Sequence, residues 1–324
     1  MTHALPVGFT VRPATLDDVD SVMALMAASS LAAVGEADVT RDEVVADLTQ
    51  PSLDLVNDSS LVHDATGQVV AYGVALNDNP ERVFVDVYLH PDLDDDTYLR
   101  VGRCLASAAL ARLRVYLEQS GGSSVTVGSG CYHQEHRQSG LLTDVGMRPA
   151  RTYWRMRREL DPADAEPFDL PAGVSVRVPD LTDEAVRRVC HQLDTDSFRE
   201  HHGFVEKPYD QFWSEMGRAP LYDPTQWWLA EVEGAPAGLL IGDESRADEG
   251  GAYVPILGVL PQYRGRGVAK ALLRTAFAEF VRRGRTTASL GVDSENATGA
   301  TALYESVGMS AVMAIDFYER VLRV

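Results

Sequence analysis

The chain has 324 residues, of which 29 are Lys or Arg and 48 are Asp or Glu, so its net charge is −19 at pH 7. This length is sufficient for two domains, and a hydrophobic content of 45% excludes a disordered chain. The excess of negative charge repels phosphate groups, so neither a nucleic acid nor an anionic membrane is expected as a partner.

Three scattered cysteines, Cys104, Cys131 and Cys190, are too few for a disulfide framework, which indicates a reducing compartment. The first residues lack the basic segment and apolar core of a signal peptide. The chain also lacks an uninterrupted run of about 18 apolar residues, the length that a membrane-spanning helix needs. We therefore expect a cytoplasmic protein.

In chain order, the first half predicts a short strand at residues 8–12, followed by a turn with an acidic N-cap and an amphipathic helix. A strand at 83–89, a helix at 99–117 and a strand at 125–128 come next. This mixture of strands and helices predicts an α/β domain around a central sheet.

The next segment, residues 159–173, contains five acidic residues and the prolines Pro162, Pro167 and Pro171. Proline restricts both itself and the residue before it, so the segment is predicted to be an extended, solvated linker. We expect one domain at residues 1–158 and a second domain at residues 174–324.

The second half predicts the same order of elements. Its strands are expected at 227–232, 237–241, 253–259, 288–292 and 311–318, and a tight turn at Glu233-Gly234 joins the first two. Helices are expected at 268–283 and 297–306, the first of them from apolar residues at helical spacing.

Two sequence matches indicate that the halves are copies of one another. The segment Gly8–Arg12 (GFTVR) matches Gly173–Arg177 (GVSVR) at an offset of 165 residues. Near the other end, Leu141–Met147 (LLTDVGM) matches Leu303–Met309 (LYESVGM) at an offset of 162. Matching ends at nearly constant offset predict an internal duplication, and chance similarity between common residues is the alternative.

The most informative segment is residues 257–269, which predicts a strand, a loop containing Gly265 and Gly267, and the start of a helix. The first amides of a helix have no acceptor within the helix, and the helix dipole places positive potential there. Glycines let the backbone approach a ligand closely, so this segment predicts a pyrophosphate site.

The charge around this loop agrees with an anionic ligand. Residues 264–285 carry seven basic side chains and one acidic side chain, within a chain whose net charge is −19. A solvated basic helix face is the alternative. It is the better explanation for Arg282, Arg283 and Arg285, because cations are stabilising at the C-terminus of a helix.

The first copy lacks these features. Asp95 and Thr97 stand where the second copy has Gly265 and Gly267, and Asp94 and Asp96 replace the arginines beside them. Carboxylates at these positions would cap the helix and repel pyrophosphate. We expect no phosphate site in the first copy.

The loop Gln262-x-x-Gly265-x-Gly267, followed by Asn296 and by Leu303-Tyr304-x-x-x-Gly308-Met309, resembles the GNAT superfamily of acetyl-CoA-dependent N-acetyltransferases. The resemblance implies two tandem GNAT-like domains, each with a mixed central β-sheet flanked by helices. It also implies acetyl-CoA as co-substrate and an acyltransferase activity carried by the second copy.

The resemblance further implies a role for individual residues. Pyrophosphate would bind the backbone amides of Arg264, Gly265, Arg266, Gly267, Val268 and Ala269. Main-chain groups of Leu257 and Val259 would pair with the pantetheine arm, which Asn296 would also contact. Tyr304 would protonate the departing CoA thiolate, since a phenol of pKa ~10 is still protonated at neutral pH. Its alternative is a packed core aromatic, and the first copy has Leu142 at the matching position.

The general base is less well defined by the sequence. Tyr253 lies near the position where this family often has a glutamate, and His202 lies in the region that covers the acceptor site in this family. We rank these two above the carboxylates Asp243, Glu244 and Glu249, which solvated loops explain as well. The aromatic residues around His202 either line an acceptor pocket or form core; they are Phe198, Phe204, Tyr209, Phe212 and Trp213.

No metal is expected, because the one short cluster of ligand residues, Cys131–His136, offers too few ligands and lies in the first copy. The sequence thus predicts transfer of an acetyl group from acetyl-CoA to a primary amine of a small molecule. The alternatives are acetylation of a cysteinyl precursor, as in mycothiol synthase, and an acyl-CoA-binding module without catalysis. The chain could be a monomer or a homodimer.

Overall fold

A computed structural model describes residues 4–77, 82–201, 203–217, 223–295 and 299–323. The chain forms two compact units, one from Met1–Tyr153 with Met313–Val324 and the other from Trp154–Val312. Within the described residues, no helix combines the length and the apolar character needed to cross a membrane.

The first unit combines strands and helices in a mixed order. Its strands before residue 153 are β1 (Thr10–Arg12), β2 (Ser59–His63), β3 (Val69–Leu76), β4 (Arg82–Leu89) and β5 (Ser124–Tyr132). Its helices are α1 (Val19–Val34), α2 (Arg41–Leu48), α3 (Leu55–Asp58), α4 (Asp95–Gln119) and α5 (His136–Asp144). Helix α4 covers one sheet face and helices α1 and α2 cover the other, each over an apolar core.

The second unit repeats this arrangement. Its strands are β6 (Arg148–Glu159), the second half of which lies in this unit, β7 (Val174–Arg177), β8 (Trp227–Val232), β9 (Ala235–Asp243), β10 (Gly251–Val259) and β11 (Thr287–Asp293). Its helices are α6 (Glu184–Phe198), α7 (Tyr209–Met216), α8 (Val268–Arg282) and α9 (Ala300–Glu305). The apolar stripe predicted for α8 is buried, including Leu272, Phe277 and Phe280.

Each unit has a mixed sheet, as the sequence predicts. In the first unit the strand order is β1-β2-β3-β4-β5, and the last strand of the chain, β12 (Ser310–Arg323), lies next to β5. In the second unit the order is β6-β11-β10-β9-β8-β7. One parallel pair occurs at corresponding places, β4 with β5 and β10 with β11, beside antiparallel neighbours.

The ends of the units differ from the expected domain ranges. Strand β12 pairs antiparallel with β5 from Ile315–Tyr132 to Arg323–Ser124, so residues 313–324 belong to the first unit. Residues 154–173 belong to the second unit. The expected domain ranges of 1–158 and 174–324 did not include this pairing, because it joins residues that lie far apart in the sequence.

The linker is also less extended than expected. Residues Pro162–Ala165 form one turn of 3₁₀ helix, capped by the Asp161 side chain, and this turn packs against α8. Asp164 forms an ion pair of 2.6 Å with Arg158, and the Phe168 ring lies 4.2 Å from the guanidinium of Arg274 on α8. Two side chains in the middle of the segment thus anchor it to the second unit.

Candidate active site

The predicted phosphate loop joins β10 to α8 in the second unit. Gly265 and Gly267 have φ angles of +74° and +80°, which disfavour any residue with a side chain. Gly267 is the N-cap of α8 and provides no side-chain cap, and its carbonyl accepts the first helical hydrogen bond, from Ala271. Helix geometry therefore leaves the amides of residues 268–270 without a helical acceptor, as an anion site requires.

The arginines of this region have different partners. Arg264 donates from Nε to the carbonyl of Val259 (3.1 Å) and from Nη2 to the carbonyl of Ser197 (3.3 Å), so its side chain ties the loop to α6. Arg266 is half-exposed and lies 3.5 Å from Glu233. Of the predicted anion-binding groups in this loop, the backbone amides are therefore better placed than the Arg264 side chain.

The arginines at the far end of α8 have structural roles, but Arg283 and Arg285 are mostly buried in ion pairs and do not form the solvated face expected from the sequence. Arg283 pairs with Asp223 at 2.8 Å and with Glu279 at 2.9 Å, while Arg285 lies 2.6 Å from Glu244. These ion pairs neutralise the basic end of the helix. Positive potential from the helix dipole is therefore to be expected at the N-terminal end of α8.

Strands β10 and β11 separate beside this loop. Their parallel pairing runs from Gly251–Thr287 to Val254–Leu290, whereas β10 continues to Val259. On its other edge β10 remains paired with β9, through Leu257–Leu240 and Val259–Gly238. Within the described residues, the edge of β10 facing β11 is thus open beyond Val254. An extended ligand can add to such an edge as a strand does.

Two tyrosines lie near the point of separation. Tyr304 on α9 is 7% exposed, and burial raises its pKa to about 12, with a smaller contribution from neighbouring Tyr253. Tyr253 is a half-buried residue of β10, and its hydroxyl lies 3.4 Å from the position that a Cβ on Gly291 would take. The fold therefore brings together two residues that the sequence singled out separately, and it keeps the Tyr304 hydroxyl protonated at neutral pH.

Comparisons with known proteins identify the family. The sequence model of the Acetyltransferase (GNAT) family matches residues 188–309, which span the loop, the separating strands and Tyr304. A mycothiol acetyltransferase from Streptomyces griseus is 30% identical over 251 residues, covering 75% of this chain and 74% of the relative. The chain belongs to the GNAT acetyltransferase family. It is therefore an acyltransferase.

Other relatives of this GNAT acetyltransferase extend over nearly the whole chain. A mycothiol acetyltransferase from Beutenbergia cavernae is 27% identical over 305 residues, which is 90% of this chain and 95% of the relative. A solved GCN5-related N-acetyltransferase from Sphaerobacter thermophilus has a TM-score of 0.83 at 26% identity, over 99% of this chain and 98% of that one. A tandem GNAT protein from the clavulanic acid biosynthesis pathway shares the fold, with a TM-score of 0.71 at 17% identity and coverage of 97% and 98%.

Two predicted site residues of this GNAT protein, His202 and Asn296, lie outside the described residues. The three lower-ranked carboxylates have structural partners. Asp243 accepts hydrogen bonds from Ser245, Glu244 pairs with Arg285, and Glu249 lies 3.4 Å from Arg246. These contacts agree with their lower rank as bases.

Two residues of the predicted aromatic group, Phe212 and Trp213, belong to the core. Phe212 is buried, and Trp213 stacks on Trp227 with ring centroids 5.3 Å apart. Phe198 differs, because it packs close to Gly258 of β10, where the strands have separated. His201 lies against Phe198, and burial together with the charge of Arg264 lowers its pKa.

One titratable residue that the sequence analysis did not single out is Asp194 on α6. Burial raises its pKa to about 6, although the charges of His191 and Lys207 oppose the rise. A carboxylate with this pKa can take up a proton near neutral pH. The sequence carries no signal for it, since an acidic residue in an amphipathic helix is ordinarily solvated.

No metal site is apparent in the parts of the chain that the structure describes: nowhere in them do three His, Cys, Asp or Glu side chains come close enough to bind an ion.

The loop of the first unit has the opposite chemistry. Asp94 is the N-cap of α4, and its carboxylate accepts a hydrogen bond of 3.0 Å from the amide of Thr97. The Asp94 carboxylate therefore accepts the hydrogen bond of an amide at the start of the helix. In the second unit the corresponding amides are available to an anion. Leu142, the counterpart of Tyr304, is fully buried and has no proton to donate.

Proposed function

We propose that the second unit transfers the acetyl group of acetyl-CoA to the primary amine of a small molecule. The observation that supports this most directly is that one unit contains three features together. They are the uncapped start of α8, the open edge of β10, and the buried hydroxyl of Tyr304. In that order they suit a pyrophosphate, a pantetheine arm and a thioester sulfur.

In this proposal the amides of residues 265–269 hold the pyrophosphate, and main-chain groups of Leu257 and Val259 align the pantetheine arm. The amide of Arg264, which the sequence analysis included in this set, donates to the carbonyl of Pro261 over 3.3 Å. The Val259 carbonyl already accepts a hydrogen bond from Arg264, so its second lone pair or its neighbours would serve the ligand. Asn296 would add a further contact to the arm. This alignment fixes the thioester carbon before the amine arrives, which lowers the entropic part of the barrier.

The transfer joins the amine nitrogen to the acetyl carbonyl carbon and breaks the carbon–sulfur bond. The amine gives up a proton to a base or to water, and the electron pair of the broken bond leaves on sulfur. A thiol has an ordinary pKa of ~8.5, below that of buried Tyr304 at about 12. Tyr304 therefore acts best by donating a strong hydrogen bond to sulfur as negative charge develops there.

Tyr253 and His202 are the candidates for the group that receives the proton of the amine. A pH profile of kcat/KM tests the tyrosine. A limb that disappears in Tyr253→Phe would assign the base to Tyr253.

The acceptor that the relatives favour is the cysteinyl amine of a mycothiol precursor. The two relatives at 27% and 30% identity are named mycothiol acetyltransferase, and they cover most of this chain. A module that binds acyl-CoA without turnover is the second candidate function. The buried Tyr304 at the separated strands argues against it, because binding alone does not need a proton donor.

A panel of amines tests the proposal. Each amine is incubated with acetyl-CoA and the protein, and the acetylated product and free CoA are separated and quantified by mass spectrometry. Separation is necessary because a cysteinyl acceptor has its own thiol, which thiol reagents would also detect. The precursor with its sulfur blocked should still be acetylated, since the proposal places the new bond on nitrogen. Binding of acetyl-CoA without turnover of any amine would favour the second candidate.

A further inference from the structure

The first unit keeps the separated strands of a coenzyme cleft. Among the described residues, strands β4 and β5 pair in parallel from Arg82–Thr126 to Phe84–Gly128, while β4 continues to Leu89. The loop alignment of the two copies places Val87 opposite Leu257, the residue proposed to align pantetheine. The same opening therefore exists at the corresponding strand in both units.

A side chain of the first unit lies in the opening between β4 and β5. Gln138 on α5 is 4% exposed and donates from Nε2 to the carbonyl of Val87 over 2.8 Å. Its Oε1 accepts a hydrogen bond of 3.0 Å from the hydroxyl of Tyr98 on α4. The opposite amide orientation would set Oε1 against the Val87 carbonyl, so the hydrogen bonds themselves fix the orientation.

The neighbouring residue, Arg137, binds the loop between β4 and α4. It donates from Nη1 to the carbonyl of Pro91 (3.0 Å) and from Nη2 to the carbonyl of Leu93 (2.5 Å). Its guanidinium also lies 3.2 Å from Asp95 and 4.0 Å from the centre of the Tyr98 ring. In the second unit the equivalent loop presents amides suited to an anion. In the first unit the loop presents carbonyls and a carboxylate to the Arg137 cation. The loop of the first unit thus suits a positive charge, whereas that of the second unit suits a negative one.

The second unit has no such side chains at the matching positions. The offset of 162 residues between LLTDVGM and LYESVGM places Gly299 opposite Arg137 and Ala300 opposite Gln138. Neither residue can extend a polar group into the opening between β10 and β11. The two units therefore differ in a coordinated way, since one has the occupying side chains and an acidic loop, and the other has neither.

We propose that Arg137 and Gln138 are an internal substitute for a coenzyme. Their side chains donate hydrogen bonds to the open strand edge and to the loop of the first unit, where a coenzyme would otherwise bind. The first unit therefore needs no acyl-CoA and does not bind it. The proposal uses the coenzyme site proposed for the second unit only as the counterpart for comparison.

The first experiment titrates the full-length chain with acetyl-CoA in a calorimeter. One site per chain is expected, and two sites of similar affinity would overturn the proposal. Absence of any binding would instead count against the function proposed for the second unit, and thermal unfolding of the variants would then decide this proposal by itself.

The second experiment compares thermal unfolding of the wild type with an Arg137→Ala/Gln138→Ala variant. The control is Gln134→Ala/Arg114→Ala, which removes the same residue types from exposed positions of the same unit. Losing these buried and charge-assisted hydrogen bonds should lower the midpoint by about 5–15 °C, against about 2 °C or less for the control. Equal midpoints for the two variants would overturn the proposal.

A reciprocal variant tests the same geometry in the second unit. Ala300→Gln introduces the occupying side chain and should weaken acetyl-CoA binding at least about tenfold. Ala302→Gln, an exposed position of the same helix, serves as its control and should bind as the wild type does. Unchanged binding by Ala300→Gln would contradict the idea that a glutamine there replaces the coenzyme.

Discussion

The two glycines of the phosphate loop offer a matched pair of substitutions. Gly265 and Gly267 both have positive φ, and an L-residue in that conformation costs about 1–2 kcal/mol. A Cβ on Gly265 would meet no atom within 4 Å, whereas a Cβ on Gly267 would lie 2.9 Å from Cγ of Pro171. Relieving that overlap adds about 1–3 kcal/mol. Gly265→Ala should therefore lose about 1–2 kcal/mol in total, and Gly267→Ala about 2–5 kcal/mol.

The loss can be measured as weaker folding or as weaker binding of acetyl-CoA. Urea unfolding gives the first and calorimetric titration gives the second, where each 1.4 kcal/mol is about a tenfold change in Kd. The sum of the two losses is the quantity to compare between the variants. Adding Pro171→Gly should recover about 1–3 kcal/mol in Gly267→Ala and nothing in Gly265→Ala. Equal total losses in the two alanine variants would refute the argument from the linker contact.

Three further predictions concern the acid and the first unit. Tyr304→Phe should lower kcat by about 10²–10⁴-fold with nearly unchanged acetyl-CoA affinity, as measured by turnover and titration, and wild-type turnover would make Tyr304 a packing residue. Changing Asp94, Asp95 and Asp96 to Asn should leave turnover and acetyl-CoA affinity within about twofold, because these exposed acids lie in the unit without a phosphate loop. Loss of binding would place the coenzyme there. Burial raises the pKa of Glu135 in the folded protein, so folding favours its protonated form. The resulting stability is fully present below the unfolded pKa of ~4.3 and is lost as the pH rises through the folded pKa. Urea unfolding across this range should show that slope in the wild type and not in Glu135→Gln.

The sequence predicted the features that depend on neighbouring residues. The buried stripe of α8 follows from the helical spacing of its apolar residues. The positive φ angles occur at Gly265 and Gly267 because glycine adopts this conformation freely. The mixed sheets follow from the order of strands and helices. The helix stripe and the glycine conformations are decided within about a dozen residues along the chain, where spacing is a reliable guide.

The features that escaped prediction depend on contacts across the fold. Strand β12 pairs with β5 although nearly 200 residues separate them, and a strand pattern does not name its partner. Arg264 could be recognised as basic but not as bound to the carbonyls of Val259 and Ser197. Gln138 carries no signal of its own, because its role exists only once α5 lies beside the separated ends of β4 and β5.

The two helix starts explain why a duplicated fold could keep a coenzyme in one unit alone. Asp94 caps the start of α4 with its side chain, whereas the N-cap of α8 is Gly267, which has no side chain and is less stabilising than Asp by roughly a few tenths of a kcal/mol. The second unit therefore has unsatisfied amides and an open strand edge that a bound ligand can satisfy. A ligand at 100 times its Kd adds about 2.7 kcal/mol to the unit that binds it. In the first unit Asp94 accepts from an amide at the start of α4, Gln138 donates to the strand edge and Arg137 donates to loop carbonyls, so these groups have partners without a ligand.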